Sequence, residues 1–142
     1  MESTTQHGSC LCGAIRIEVD QSVDAKLETS VCHCLECRKI TSGVASLNWT
    51  VPSTAMRYIQ GSPKSYTKKH GEKGFLFTVS FCGSCGSVLA CSLPDKENIV
   101  VIQAGILDDP AVLMQTPTTE LNITHRVMWL DPVGSTQQKE GY

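Results

Sequence analysis

Seven of the eight cysteines stand in three tight clusters, Cys10/Cys12, Cys32/Cys34/Cys37 and Cys82/Cys85. Spacings of C-x-C and C-x-x-C are those of metal ligands, and they constrain the fold because segments far apart in sequence must meet around one ion. A closed tetrahedral zinc site takes four thiolate or imidazole ligands; an open one takes three and leaves a position for water or substrate. If clusters stay whole, one division works. The doublets make a four-thiolate site from Cys10, Cys12, Cys82 and Cys85, and the triplet Cys32, Cys34 and Cys37 makes a three-ligand site. Joining the triplet to either doublet would leave five ligands and two. The spacing therefore predicts two zinc ions per chain, one structural and one open, reactive and more easily lost.

Each cluster has a competing reading. The doublets are also compatible with buried free thiols or a transient disulfide. The triplet is also compatible with a second closed site, completed by Cys91, His7, His33, His70 or His125. Cys91 is foremost as the remaining thiolate donor, yet it lies in the apolar run 88–93, where a cysteine packs as a small hydrophobe. In an extended C-x-C, side chains at i and i+2 share a face. Cys10 and Cys12 would then pinch one metal while Leu11 points away, and the same rule turns His33 away from Cys32 and Cys34. Gly13 and Gly86, directly after ligands, suit tight turns that bring backbone amides to the sulfurs.

The rest of the composition suits a small metalloprotein. At 142 residues, 41% hydrophobic and 18% charged, the chain is one domain with a real core. Its net charge is -2 and its longest basic cluster is Lys68-Lys69-His70, which argues against a nucleic-acid surface. The opening MESTTQHGSC is polar, and no stretch approaches the ~20 apolar residues of a membrane span. We expect a cytoplasmic protein with reduced thiols and a small-molecule substrate, without nucleic-acid or membrane partners.

Hydrophobic residues recur with period two. Residues 14–20 alternate Ile15, Ile17 and Val19 with Arg16, Glu18 and Asp20, as in a half-buried strand. Further strands are predicted at 44–51, 56–60, 75–81, 88–93 and 99–104, with short helical turns at 35–42 and 110–114. The fold class is mainly β, one domain over about 8–130, with 1–7 and 135–142 expected to be flexible. Trp49, Tyr58, Tyr66, Phe75, Phe77 and Trp129 are expected as core or pocket walls. Arg38, Lys39, Ser42 and Gly43, just after the triplet, are candidates for holding a carboxylate or oxyanion of a substrate.

Gly8-Ser9-Cys10-Leu11-Cys12-Gly13, Cys32-His33-Cys34-Leu35-Glu36-Cys37-Arg38 and Phe81-Cys82-Gly83-Ser84-Cys85-Gly86 resemble the glutathione-dependent formaldehyde-activating enzyme family, whose domain is shared with a centromere protein. Gly43, residues 58–61, Tyr66 and Gly105-Ile106-Leu107-Asp108-Asp109 extend the likeness over about 8–129. The resemblance implies an Mss4-like β-tent of short twisted antiparallel sheets stapled by zinc. It also implies carbon-sulfur lyase activity that joins glutathione and formaldehyde as S-hydroxymethylglutathione. In proteins of this kind the doublets hold the structural zinc and the triplet the catalytic one. Because one scaffold hosts many chemistries, two other functions stay open: a biosynthetic lyase, dehydratase or cyclase acting on another small molecule, and a non-catalytic zinc-binding interaction module.

Overall fold

The period-two pattern resolves into strands of two sheets. The computed structural model describes residues 3–22 and 28–142. Its strands are β1 (Ser3–Ser9), β2 (Arg16–Ser22), β3 (Thr29–Cys32), β4 (Ser46–Pro52), β5 (Met56–Gln60), β6 (Lys64–Lys69), β7 (Leu76–Phe81), β8 (Val88–Ser92), β9 (Ile99–Gln103), β10 (Thr119–Leu121) and β11 (Gln137–Gln138). A small antiparallel sheet holds β1, β2 and β5; a large one runs β11-β10-β3-β4-β9-β8-β7-β6. Helices α1 (Leu35–Thr41) and α2 (Ala111–Met114) occupy the two predicted helical turns. This mainly β arrangement is that of an Mss4-like fold.

Strand alternation gives the large sheet two unlike faces. On β4, Leu47, Trp49 and Val51 face the core, where they meet Ile17 and Val19 of β2, Ile102 of β9 and Val112 of α2. Full burial of each such side chain contributes about 1.5–3 kcal/mol. Ser46, Asn48 and Thr50 take the opposite face with Ile99, Val101 and Gln103 of β9, and there they line a cavity. The small sheet is thus packed on one side of the large sheet, and the other side is left to form a pocket.

Two long polar strands, β1 and β6, lie outside the hydrophobic pattern, as do the short β3, β10 and β11. β1, with sequence STTQHGS, pairs along its whole length with β2, from Ser3↔Ser22 to Ser9↔Arg16. His7 therefore sits in a paired strand, its Nε2 3.1 Å from Glu18 Oε1, rather than in the flexible end expected for 1–7. β6, KSYTKK, is exposed and closes one edge of the large sheet with three lysines, a composition that discourages further strand pairing. At the other end, the expectation that 135–142 is flexible gives way to a paired segment. Gln137 and Lys139 donate backbone N–H groups to Thr118 and Glu120, and Ile123 and Asn122 donate to Lys139 and Gly141.

The aromatic residues divide. Trp49 is core, and Phe75 and Phe77 are cavity walls. Trp129 at 74% exposure and Tyr66 at 63% are surface residues, contrary to the expectation of packing.

Candidate metal centres and their cavity

Cys10 and Cys12 lie in the β1–β2 connection, Cys82 and Cys85 in the β7–β8 connection, and the four sulfurs lie within 4.8 Å of one another. The C-x-C is not extended as the sequence suggested. A turn closed by Gly13 N–H on Cys10 O, 3.1 Å, with Gly13 at φ 79°, curls Cys12 back to put its sulfur 3.6 Å from that of Cys10. Leu11 points away, 88% exposed. Gly86, also left-handed at φ 78°, closes a turn one residue wider by donating to Cys82 O at 2.9 Å. Backbone amides aim at the sulfurs: Ile15 at Cys10, 3.3 Å, and Ser84 and Cys85 at Cys82, 3.4 and 3.5 Å. Hydrogen bonds from Ser87, through side chain and backbone, lower the Cys85 thiol to about 5. Sulfurs converging under several N–H donors suit thiolates neutralised by a cation.

The triplet is a separate cluster. Cys32 ends β3, Cys34 is the N-cap of α1 and Cys37 sits in its first turn, so a strand-to-helix corner gathers the three sulfurs. The Cys34 sulfur takes the capping role usually given to an oxygen, accepting the Cys37 N–H at 3.3 Å. Asn122 Nδ2 donates to Cys32 at 3.3 Å and the Tyr142 hydroxyl to Cys34 at 3.5 Å. Hydrogen bonds from Cys32 and Cys37 push Cys34 far below an ordinary thiol. The same contacts push Cys37 up. Three converging sulfurs met by backbone and side-chain donors suit a three-ligand cation site.

Cys34 also belongs to a second group with Glu36 and His70, all three buried and their ligand atoms within 4.8 Å of one another. His70 Nδ1 accepts the backbone N–H of Glu72 and Lys73, 3.3 and 3.0 Å, which puts the proton of the neutral ring on Nε2. That nitrogen faces Glu36 Oε2 at 3.3 Å and the Tyr142 hydroxyl oxygen at 3.1 Å. Burial and then the Cys34 contact push the Tyr142 phenol up, so it stays a donor. A chain of contacts therefore runs from Glu36 through His70 and Tyr142 to the Cys34 sulfur.

The triplet corner opens on a cavity of about 470 Å³. Cys34, Cys37, Glu36, His70 and Tyr142 are part of its lining, with the polar stripe of β4, Val101 of β9 beside that stripe, and the apolar side chains of Ile40, Phe75, Phe77 and Leu121. None of Cys10, Cys12, Cys82 and Cys85 lines it.

The remaining candidates fall elsewhere. His33 turns away from the sulfurs, as its position between them suggested, and its Nε2 meets Glu120 Oε2 at 2.6 Å with both side chains buried. His125 pairs with Glu72 at 2.7 Å. Cys91 lines the cavity outside both sulfur clusters, its thiol raised to about 12 by burial and then by the charge of Cys34. Arg38 is half-buried on α1 and is not among the cavity-lining residues, and neither is Lys39, Ser42 or Gly43; Glu36 and Ile40, four apart on the helix, face the cavity instead. Asn122, His70 and Tyr142 are the site residues that spacing did not single out as a set. A sulfur needs nearby donors, but nothing local in the sequence says which distant segment supplies them.

A sequence profile of the glutathione-dependent formaldehyde-activating enzymes matches residues 5–124. The chain belongs to that family. The match spans all three cysteine clusters and every strand from β2 to β10. Among solved structures, a Rhodobacter sphaeroides protein from a structural genomics programme is similar at 22% identity with a TM-score of 0.57, covering 78% of this chain and 97% of its own. At that identity the likeness is one of fold. No curated protein matches the chain in sequence. The family's zinc chemistry fits both clusters, whose sulfurs converge and are met by N–H and O–H donors. Among the described residues, no helix is long and apolar enough to cross a membrane.

Proposed function

We infer that the chain is a zinc-dependent enzyme acting on a thiol-aldehyde adduct or a related small molecule, a carbon-sulfur lyase in type. Cys32, Cys34 and Cys37 hold the reactive zinc, and Cys10, Cys12, Cys82 and Cys85 hold a structural one. The observation that carries this reading is the asymmetry of the two clusters, since the triplet opens on a cavity of about 470 Å³ and the four-sulfur group does not line it. Zinc on three thiolates supplies a Lewis acid that favours the thiolate form of an incoming thiol and polarises a carbonyl.

The chain's own groups do the rest. In the joining direction a carbon-sulfur bond forms between thiol and aldehyde, and the proton leaving sulfur ends on the former carbonyl oxygen. Cleavage reverses both changes. Tyr142 Oη, 3.5 Å from the Cys34 sulfur, is placed to hydrogen-bond that oxygen, and His70 orients the phenol from behind. The apolar wall of Ile40, Phe77, Val101 and Leu121 sheds water from the reacting atoms. A reducing cytoplasm keeps all seven ligand thiols free for metal.

Exchange spectroscopy of formaldehyde mixed with glutathione, or with other thiols, reads adduct formation and breakdown directly. Acceleration that disappears in Cys34→Ser supports the lyase reading, and none with any thiol refutes it. A second reading, a biosynthetic enzyme recruited to another small molecule on the same scaffold, is favoured by the weakly cationic cavity lining.

A further inference from the structure

The cavity beside the triplet has a chemical character of its own. Its lining includes one cationic residue of the Lys/Arg type, Lys96, beside two acids, Glu36 and Asp95. Glu36 is already engaged, with Oε1 accepting the Gly71 N–H at 2.8 Å and Oε2 facing His70. Three thiolates on one divalent ion add a formal negative charge at the triplet. Glutathione carries two carboxylates and one ammonium, and its volume suits the cavity. Charge is the obstacle. Each carboxylate taken from water needs a cation or several N–H donors, and Lys96 is exposed at the mouth.

What the lining does offer is a polar edge and an aromatic face. Ser46, Asn48 and Thr50 stand at i, i+2 and i+4 on β4, a row leading outward from the register partner of Cys32. Ser46 Oγ is buried, 3% exposed, and among the described residues its one polar neighbour is the Cys37 thiol, which leaves its remaining hydrogen-bonding capacity to a ligand. Asn48 Oδ1 accepts from Gln103 Nε2 at 3.0 Å, which leaves the Asn48 amide free to donate. Elsewhere on the lining Phe75 stacks on His70 with ring centroids 4.7 Å apart, Tyr142 meets Phe75 edge-on at 5.5 Å, and Phe77 meets it at 6.4 Å. These are donors and acceptors for neutral oxygens, and rings for a ring.

We propose that the substrate is an uncharged, oxygen-bearing aromatic carbonyl compound, or its thiol adduct, rather than glutathione. The ring lies against Phe75 and Phe77, its hydroxyl or carbonyl oxygens meet Ser46, Asn48 and Thr50, and its reacting group reaches the triplet. This rests on the triplet being the reactive centre, so the test reads the cavity separately from the metal.

Calorimetry of the zinc-replete protein with hydroxyacetonaphthone, a neutral ring bearing a hydroxyl and a ketone, reads the cavity. The same titration with glutathione reads the alternative. Hydroxyacetonaphthone is expected to bind at least tenfold more tightly than glutathione. Leu93→Lys, which puts a cation on the lining just past the end of β8, is expected to weaken the naphthol several-fold and strengthen glutathione. General unfolding would weaken both. Glutathione binding as tightly as the naphthol, or a Leu93→Lys protein that changes neither, overturns the proposal. Cobalt-substituted protein titrated with benzyl mercaptan then reads the metal. A naphthol that binds while no thiol perturbs the cobalt-thiolate band keeps the substrate class and removes the reactive-zinc reading.

Discussion

The hydroxyl of Tyr142 lies 3.5 Å from the sulfur of Cys34 and 3.1 Å from Nε2 of His70, although these residues are 108 and 72 positions away in sequence. The phenol is held by the backbone pairing of 137–141 against residues 118–123, not by a local motif. Tyr142→Phe removes the hydroxyl and leaves the ring against Phe75. A hydrogen bond to a charged group contributes about 1.5–3 kcal/mol, so turnover should fall roughly ten- to a hundredfold with zinc content unchanged. Steady-state kinetics beside metal analysis checks this; unchanged kinetics removes Tyr142 from the chemistry.

Glu120 is the buried carboxylate behind the triplet. His33, the Val133 N–H, Gln138 and Arg126 all converge on it. Burial opposes its ionisation, but these donors win and lower it to about 2. Its contribution to stability is therefore complete above the ordinary glutamate range near pH ~4.3 and is lost as pH falls toward about 2. Glu120→Ala leaves His33 and Arg126 without their partner and should cost about 3–5 kcal/mol. Urea unfolding at neutral pH and at pH ~3 tests both statements, since the gap between wild type and variant should narrow in acid. A gap that widens in acid would reverse the sign.

The two clusters should answer differently to ligand loss. Cys82→Ser opens the site that clips the β1–β2 connection to the β7–β8 connection, and in small zinc modules such a site carries ~10 kcal/mol or more of folding free energy. That variant should be insoluble or unfolded. Cys34→Ser should stay folded and bind about one zinc ion. Circular dichroism with metal analysis distinguishes them, and equal collapse of both would refute the division of roles.

Chelation offers an independent ordering. An open site held by three protein ligands and reached from a cavity should release zinc first to a mild chelator or below about pH 6, where protons compete for the sulfurs. The emptied Cys32, Cys34 and Cys37 should then become accessible to thiol reagents. Mass spectrometry of alkylated peptides after brief chelation reads this, and labelling at Cys10 or Cys85 before Cys34 would contradict it.

The cysteine spacing made the two sulfur clusters legible because residues a few positions apart are local by necessity. β2, β5 and β9 were legible too, since Ile17, Val19 and the 99–103 run expose their periodicity to a linear reading. β1 and β6 were not. Their residues are polar on both sides, and they are strands because a neighbour offers its unpaired backbone, information that lies in β2 and β7 rather than in STTQHGS or KSYTKK. The C-x-C was read as extended when a turn at Gly13 makes it, because the sequence shows that two sulfurs meet but not by which backbone route. The supports of the triplet were hidden for the same reason. Asn122 and Tyr142 reach it through the return of the chain along β10, and Arg38, the nearest cation in sequence, stands off the cavity.

Zinc-edge X-ray absorption of the zinc-replete protein, recorded without ligand and then with benzyl mercaptan, bears most directly on the account. Four sulfurs on one ion and three on the other average three and a half per zinc. The account expects that average to rise to four when the thiol is added, with the new sulfur at ~2.3 Å. Four sulfurs per zinc before any thiol is added, or no change on its addition, would show that the triplet is closed and would contradict the reactive centre proposed here.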